Sequence, residues 1–258
     1  TFAALVDVDR EMKAGGIPYA VLKGTYLYER LYRDLFPREY GDVDLLVPAG
    51  RIGDAVSALR KAGYGGGSKR LGRAAMPRWH FHMTLASAKP GGLPLELHRS
   101  LVDKANLYRV RDGELFSRLR EFRARGGGFT VLSAEDQLIY LCLHAAKHGI
   151  LNGVGLRGGC SAEWYCRPAM GNRLIWFLDI ELFLRAEKDS LDWSVVSERT
   201  REWNVAEDVI HCLRVLALLL PGSPAGAAIE RLGGPSLEGG ATKARRRGTL
   251  EGLVRSRV

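Results

Sequence analysis

Two aspartates separated by one residue, Asp42 and Asp44, lie in the largely apolar stretch Gly41-Asp-Val-Asp-Leu-Leu-Val47. Residues i and i+2 of a β-strand point to the same face of a sheet, so a strand here would project both carboxylates together. Such a pair suits phosphoryl or nucleotidyl transfer, in which two Mg²⁺ ions about 3.5–4 Å apart activate the attacking oxygen and stabilise the leaving oxygen. A lone Asp-x-Asp is more often a solvated turn or a helix N-cap pair, so other residues must decide.

A third carboxylate is expected from a neighbouring strand. In Leu93-Pro-Leu-Glu-Leu-His98 the leucines share one face, which leaves Glu96 and His98 on the other. Several acids that face one way between apolar residues are costly unless a cation compensates them. We therefore predict that Asp42, Asp44 and Glu96 are catalytic residues and metal ligands, and that they hold Mg²⁺ or Mn²⁺, with two ions expected.

A glycine follows the short predicted strand Tyr19-Ala-Val-Leu22 and opens a predicted helix from Thr25 to about Leu35. The helix carries Leu27, Leu31 and Leu35 on one stripe. Free backbone N–H groups and the helix dipole favour a phosphate at such a strand-to-helix turn. Lys23, Gly24 and Thr25 are thus candidates for binding a triphosphate.

The elements that position these residues change character along the chain. The first hundred residues alternate helix and strand, whereas Ser133-Ala-Glu-Asp136 opens a series of amphipathic helices that runs to about Leu220. This pattern predicts an α+β fold: a small mixed β-sheet core with flanking helices, followed by a C-terminal helical bundle. The predicted boundaries are 1–130 for the core, 131–232 for the helical domain with a glycine-rich insertion at 149–172, and 233–258 for a basic, flexible tail.

The segments Leu22-Lys-Gly24, Gly41-Asp-Val-Asp-Leu-Leu-Val47 and Leu95-Glu-Leu-His98 resemble the DNA polymerase β-type nucleotidyltransferase superfamily. Within it, the chain looks most like a bacterial group usually called uncharacterised nucleotidyltransferase family proteins. The resemblance covers about residues 17–187, and further matching positions are Arg38, His144, His148 and Arg173-Leu-Ile-Trp-Phe-Leu-Asp179.

This resemblance implies metal-dependent transfer of NMP from an NTP, with ATP the expected donor and pyrophosphate the leaving group. Asp42 and Asp44 would bind metal, Glu96 would complete the set, and Arg38 would join the phosphate-binding residues. Two departures are visible. Gly24-Thr25 replaces the usual Gly-Ser, and the longer spacing from it to the Asp-x-Asp leaves room for Arg38.

The histidines have two interpretations. His80, His82 and His98 could ring the site, although a set of imidazoles would favour Zn²⁺ over Mg²⁺; alternatively, His80 and His82 are hydrogen-bonded residues of a sheet surface. His144 and His148 lie four residues apart on one helix face, the spacing of helical metal ligands. They would either line the cleft or form a structural pair between domains.

The 258 residues carry a net charge of +9, which favours anionic partners such as nucleotides or RNA. Much of this charge lies in the tail between Lys243 and Arg257, so its support for RNA is weak. The longest apolar run, Val215–Leu220, is far too short to span a membrane. The first residue is Thr1 rather than Met, and residues 1–20 lack signal-peptide features, so a cytoplasmic location is expected.

The acceptor of the transferred group is not readable from the sequence: a small molecule, a peptide, a protein and RNA all stay open. Two other functions compete with nucleotidyl transfer. One is a catalytically degenerate nucleotide- or RNA-binding module, and the other is a metal-dependent phosphohydrolase.

Overall fold

The computed structural model describes residues 2–33, 35, 38–65, 82–102, 108–149 and 173–234. The chain divides into two compact units, Thr1–Gln137 and Leu138–Val258. The described strands are β1 (Ala20–Val21), β2 (Val43–Leu46), β3 (Tyr64–Gly65), β4 (His82–Ser87), β5 (Leu95–His98), β6 (Arg120–Ala124) and β7 (Gly127–Val131). The described α-helices are α1 (Phe2–Ala14), α2 (Thr25–Leu27), α3 (Ile52–Lys61), α4 (Asp112–Leu115), α5 (Ala134–Gly149), α6 (Arg173–Ala186), α7 (Trp193–Glu202), α8 (Ala206–Leu219) and α9 (Ala225–Arg231).

One mixed sheet organises the first unit. Its seven strands follow the order β3-β4-β5-β2-β1-β7-β6. β2 runs parallel to β5 and β1 runs parallel to β7, while the other neighbouring strands are antiparallel. The predicted α+β class with a mixed sheet is confirmed.

The sheet is wider than the sequence indicated because β6 and β7 form a hairpin that the sequence analysis missed. The turn between these strands is Arg125-Gly126, and both residues have positive φ, 47° and 75°. Such a turn matches the twist of a hairpin but is usually built from Asn or Asp followed by Gly, so arginine gives little signal for it.

Helix α1 covers one part of the sheet. Its apolar residues Leu5, Val8 and Met12 are buried at helical spacing, and the helix packs against α3 and β7. Gly16 follows the helix with a φ of 58°, a left-handed conformation that terminates helices and that glycine adopts without strain. Helix α1 therefore ends just before this glycine.

The predicted helix from Thr25 to Leu35 is wrong in its second half. After α2 the chain continues as a π-helix, Tyr28–Tyr32, in which the wider turn rotates every later residue around the axis. Leu27 and Leu31 are still buried, but Leu35 is 60% exposed and does not extend the apolar stripe. A π-helical turn often marks a functional segment, and this one directly follows the candidate phosphate-binding residues.

Helices α6 to α9 belong to the second unit, which also holds most of α5. Two N-caps explain where helices begin: the Ser133 hydroxyl accepts a hydrogen bond from the Asp136 amide at 3.2 Å, and the Asp192 carboxylate accepts one from the Ser194 amide at 2.9 Å. Cys142 and Cys212 are free and buried, as expected for small core residues. The predicted insertion beyond residue 149 and the tail beyond residue 234 lie outside the described residues.

Candidate active site

A row of polar side chains crosses three adjacent strands of the sheet. The parallel pairing of β2 with β5 sets Asp44 opposite Glu96, and Leu46 opposite His98. The antiparallel pairing of β5 with β4 then sets His82 opposite His98. Because alternate residues of a strand share a face, these registers bring residues that are distant in sequence to one surface.

Asp44 is the centre of this row and is fully buried. Its two carboxylate oxygens have separate partners: the Lys23 ammonium lies 2.6 Å from Oδ2, and the His98 Nε2 lies 3.0 Å from Oδ1. Burial by itself would raise the pKa of Asp44, but the hydrogen bond from His98 and the charge of Lys23 outweigh it and lower the pKa. Asp44 is therefore ionised, and the Lys23 ammonium and the hydrogen bond from His98 compensate the cost of burying its charge.

Asp42 occupies a different environment, just before β2. Its side chain is 34% exposed, and its Oδ1 lies 3.9 Å from the Lys23 ammonium. Burial and the negative charge of Asp44 raise the pKa of Asp42. A cation that approached the pair would stabilise the ionised form of both carboxylates.

Glu96 and His98 complete the described acid cluster. The His98 Nε2 lies 3.6 Å from the Glu96 Oε2, and this close imidazole lowers the pKa of Glu96. Burial opposes the charged imidazole, but its contacts with Asp44 and Glu96 outweigh this and raise the pKa of His98. One imidazole thus bridges two carboxylates.

The residues that could hold a metal form a compact group. Asp44, Glu96 and His98 each offer one ligand atom, and these atoms all lie within 4.8 Å of one another. Two carboxylate oxygens and one imidazole nitrogen are suitable ligands for a divalent cation. This group contains two of the three predicted ligands, Asp44 and Glu96, but not Asp42. Its third member is His98, one of the histidines that the sequence analysis considered as a residue ringing the site.

The strand-to-helix turn beside the acids is built on Gly24. Its φ is 55°, and a Cβ at this position would meet the Asp42 carbonyl oxygen at 3.3 Å and the Tyr40 ring at 3.5 Å. A side chain is therefore opposed by both conformation and space. The backbone of Leu22 is anchored on both sides. Its N–H donates to the Asp44 backbone carbonyl at 3.1 Å, and its carbonyl accepts from the side-chain amide of Gln137 at 2.7 Å.

Thr25 follows the glycine and is buried, with a side-chain hydroxyl that has no hydrogen-bond partner among the described residues. Buried hydroxyls normally have a partner, because an unsatisfied one costs free energy. An unsatisfied hydroxyl directly after a glycine turn is consistent with a site that is completed by a ligand.

The sequence profile of a protein family described as uncharacterised nucleotidyltransferase matches residues 2–221. The chain belongs to this family. The predicted resemblance is thereby confirmed, and the matched range contains the whole acid cluster and the glycine turn. No curated protein matches the sequence.

Three solved structures are similar to this family member at low sequence identity. The solution structure of the antibiotic-resistance factor ANT(2'')-Ia is 14% identical, with 77% of this chain and 96% of that chain covered and a TM-score of 0.39. The lincomycin-bound lincosamide antibiotic adenylyltransferase LnuA is 15% identical, with coverages of 71% and 96% and a TM-score of 0.39. An antigenic nucleotidyltransferase-like protein from Paracoccidioides brasiliensis is 14% identical, with coverages of 88% and 91% and a TM-score of 0.47.

Three other predicted site residues of this nucleotidyltransferase family member are His80, His82 and Arg38. The His82 and His98 rings are 5.3 Å apart, whereas His80 lies outside the described residues. Arg38 is buried, with its guanidinium 5.6 Å from the centre of the Tyr32 ring. The role of Arg38 in phosphate binding stays a prediction.

His144 and His148 both lie on α5 in the second unit. The His144 ring packs edge-on against Trp176 at 5.2 Å, and it also contacts the Tyr140 ring at 6.0 Å. These contacts are made within the second unit, so a role of either histidine in the cleft stays a prediction.

The sequence analysis missed a buried ion pair close to the glycine turn. Glu29, in the π-helix, has a side chain only 2% exposed, and its carboxylate lies 3.0 Å from the Arg125 Nε in the β6–β7 turn. The sequence gives little signal for this pair, because Arg120-Glu-Phe-Arg-Ala124 contains one strongly apolar residue and the turn is indicated mainly by the glycines of residues 126–128. A separate finding concerns membranes: among the described residues, no helix is both long enough and apolar enough to cross a membrane.

Proposed function

We propose that this protein is a metal-dependent nucleotidyltransferase that moves NMP from an NTP to an acceptor and releases pyrophosphate. The observation that carries the proposal is the convergence of Asp44, Glu96 and His98 beside a glycine turn, with the Lys23 ammonium against the central carboxylate. Family membership supports the reaction class. The acceptor and the preferred NTP are left open, with ATP as the first donor to test.

The acids and His98 form the proposed metal site. Asp44 and Glu96, with His98, would hold one divalent cation, Mg²⁺ or Mn²⁺, and Asp42 would contribute to a second. A bound divalent cation supplies charge neutralisation at the reacting phosphate. The fully buried Asp44 fixes the position of the site, because its strand is flanked on both sides by hydrogen-bonded neighbours.

The glycine turn forms the proposed phosphate site. Gly24 lets the backbone approach a phosphate closely, and the Thr25 hydroxyl supplies a donor that has no partner among the described residues. Lys23 would add positive charge. Arg38, before β2, is proposed as a further phosphate-binding residue.

Transfer assays with α-³²P-labelled NTPs test the proposal. The protein is incubated with each NTP, Mg²⁺ or Mn²⁺ and candidate small-molecule, peptide, protein and RNA acceptors, and released pyrophosphate and inorganic phosphate are quantified separately. We expect labelled product together with pyrophosphate, and a loss of at least about 100-fold in Asp44→Asn, because such sites depend on carboxylate ligands. Asp189→Asn removes an acid that is 89% exposed in the second unit and serves as the matched control.

Other outcomes would identify the competing functions. Release of inorganic phosphate in place of pyrophosphate would indicate a phosphohydrolase. Binding of NTP with no transfer to any acceptor would indicate a degenerate module. If Asp44→Asn turned over NTP at the wild-type rate, the assignment of Asp44 to the active site would be wrong.

A further inference from the structure

The Lys23 ammonium contacts the Asp44 carboxylate, which a bound metal ion would also need as a ligand. Its ammonium lies 2.6 Å from the Asp44 Oδ2 and 3.9 Å from the Asp42 Oδ1, so one cation faces both aspartates. The Lys23 side chain is only 15% exposed, and little water screens the contact. His98 occupies the other oxygen of Asp44, at 3.0 Å.

A divalent cation cannot share this arrangement unchanged. The ligand atoms of Asp44, Glu96 and His98 lie within 4.8 Å of one another, and Lys23 contacts the central member of that group. An ammonium and a metal ion at neighbouring positions repel each other strongly where water is scarce. Binding of the metal therefore requires the ammonium to leave Asp44.

The backbone around Lys23 is anchored, so a displacement of the ammonium would come from the side chain. The N–H of Leu22 is held by the Asp44 carbonyl at 3.1 Å, and the Lys23 carbonyl accepts from the Tyr26 amide at 3.2 Å, so the Cα of Lys23 is fixed on both sides. The long lysine side chain has several rotatable bonds and can redirect its charge. The nearest candidate destination is the glycine turn, because Gly24 and Thr25 follow Lys23 directly.

We propose that Lys23 is an internal cation that neutralises Asp44 and Asp42 before metal arrives, and that metal binding releases it to the nucleotide phosphates. Lys23 thereby makes metal and nucleotide binding cooperative. This inference rests on the proposed function, since it presumes that the acid cluster binds metal and the glycine turn binds phosphate. It gives Lys23 a second role, competition with the metal ion for the aspartates, in addition to phosphate binding.

The test measures Mn²⁺ binding without nucleotide and without turnover. Isothermal titration gives the Mn²⁺ affinity of the wild type, Lys23→Met, Lys23→Arg and the control Lys188→Met. Lys188 is 72% exposed in the second unit and lies 3.9 Å from the exposed Asp189, so its replacement changes the net charge equally without removing a partner of Asp44. We expect Lys23→Met to bind Mn²⁺ at least about tenfold more tightly than wild type, because no ammonium has to be displaced. Lys188→Met should match wild type.

A second titration measures the coupling between metal binding and nucleotide binding. The affinity for the α,β-methylene analogue of ATP is determined with and without Mn²⁺ in each variant. In wild type the metal should improve this affinity more than in Lys23→Met, by about fivefold or more, since coupling between two ligands is reciprocal. An equal improvement in both proteins would overturn the proposal.

The outcomes separate this inference from the proposed function. If wild type binds Mn²⁺ and Lys23→Met binds it equally or more weakly, Lys23 does not compete with the metal, and only this inference fails. If neither wild type nor any variant binds Mn²⁺, the metal-dependent function fails as well. Should Lys23→Met not fold, Lys23→Arg decides: a guanidinium pairs with a carboxylate through two hydrogen bonds, so Mn²⁺ affinity should fall several-fold, and an unchanged affinity would overturn the proposal.

Discussion

Two side chains at the candidate site, Asp44 and Thr25, differ in how their polar atoms are satisfied. Asp44 has the Lys23 ammonium at one oxygen and the His98 imidazole at the other, whereas Thr25 has a buried hydroxyl with no partner among the described residues. The first arrangement stabilises the folded protein, whereas the second costs free energy unless a ligand is bound. The two residues should therefore respond in opposite ways to substitution.

Thr25→Val tests the hydroxyl, since valine keeps the shape and removes the polar atom. We expect the KM for NTP to rise about tenfold, because a hydrogen bond to a charged phosphate is lost. The free energy of unfolding without ligand should stay the same or rise by up to ~1 kcal/mol, because an unsatisfied buried group is removed. Steady-state kinetics and chemical denaturation measure the two quantities.

Thr200→Val is the matched control. Thr200 is also buried, but its hydroxyl donates to the Ser197 carbonyl at 3.0 Å in α7. Its loss should lower the free energy of unfolding by about 1 kcal/mol and leave the KM unchanged. An unchanged KM in Thr25→Val would show that its hydroxyl does not contact the nucleotide.

At the scale of elements, the β6–β7 hairpin and the π-helix are joined by the ion pair of Arg125 with Glu29. Arg125 is 45% exposed, so water weakens the pair, but Glu29 is almost completely buried. Removal of the arginine leaves a buried carboxylate without this partner. The pair therefore holds the segment that follows the glycine turn.

Arg125→Ala should lower the free energy of unfolding by about 1–2 kcal/mol, and Glu29→Gln in the same protein should recover part of the loss, because the buried charge is then absent. Chemical denaturation of both single variants and the double variant gives the coupling energy. Arg123→Ala in the same hairpin is the control: Arg123 is 77% exposed and pairs with Glu121 at 2.8 Å, so its loss should cost less than about 0.5 kcal/mol. Equal effects of the two arginine variants would contradict the assigned role of Glu29.

The strands and helices differ in how well they can be predicted from the sequence. Asp44 and Glu96 stand among buried leucines, and strict alternation identified both strands and their shared face. The hairpin was missed because β6 has one strongly apolar residue, Phe122, and an arginine at a turn position with positive φ. The π-helix was missed because one extra residue in a turn does not alter the local apolar pattern until Leu35, which proves exposed.

For the whole molecule, the described acid cluster and glycine turn lie in the first unit, Thr1–Gln137. The sequence placed a boundary between core and helical domain but could not identify partners of single side chains. His98 illustrates the limit: its position beside Glu96 is visible in the sequence, but its bond to Asp44 depends on the register of two strands that are distant along the chain.

Hydrogen exchange should locate the metal response in that unit. On addition of Mn²⁺ we expect slower amide exchange in β2, β5 and residues 22–28, because ligand binding stabilises the segments that carry the ligands. Helices α7 to α9 serve as internal reference and should change little. Protection confined to those helices would place the metal away from Asp44.

The glycine at position 24 has a consequence for relatives of this protein. Its φ of 55° makes any side chain strained, and a Cβ there would lie 3.3 Å from the Asp42 carbonyl oxygen, so the backbone before β2 would have to give by a few tenths of an ångström. We therefore expect a homologue with a larger residue at this position to have a slightly displaced aspartate strand. The identity of this one residue thus offers a simple marker for family members that keep the close contact between the glycine turn and the aspartate strand.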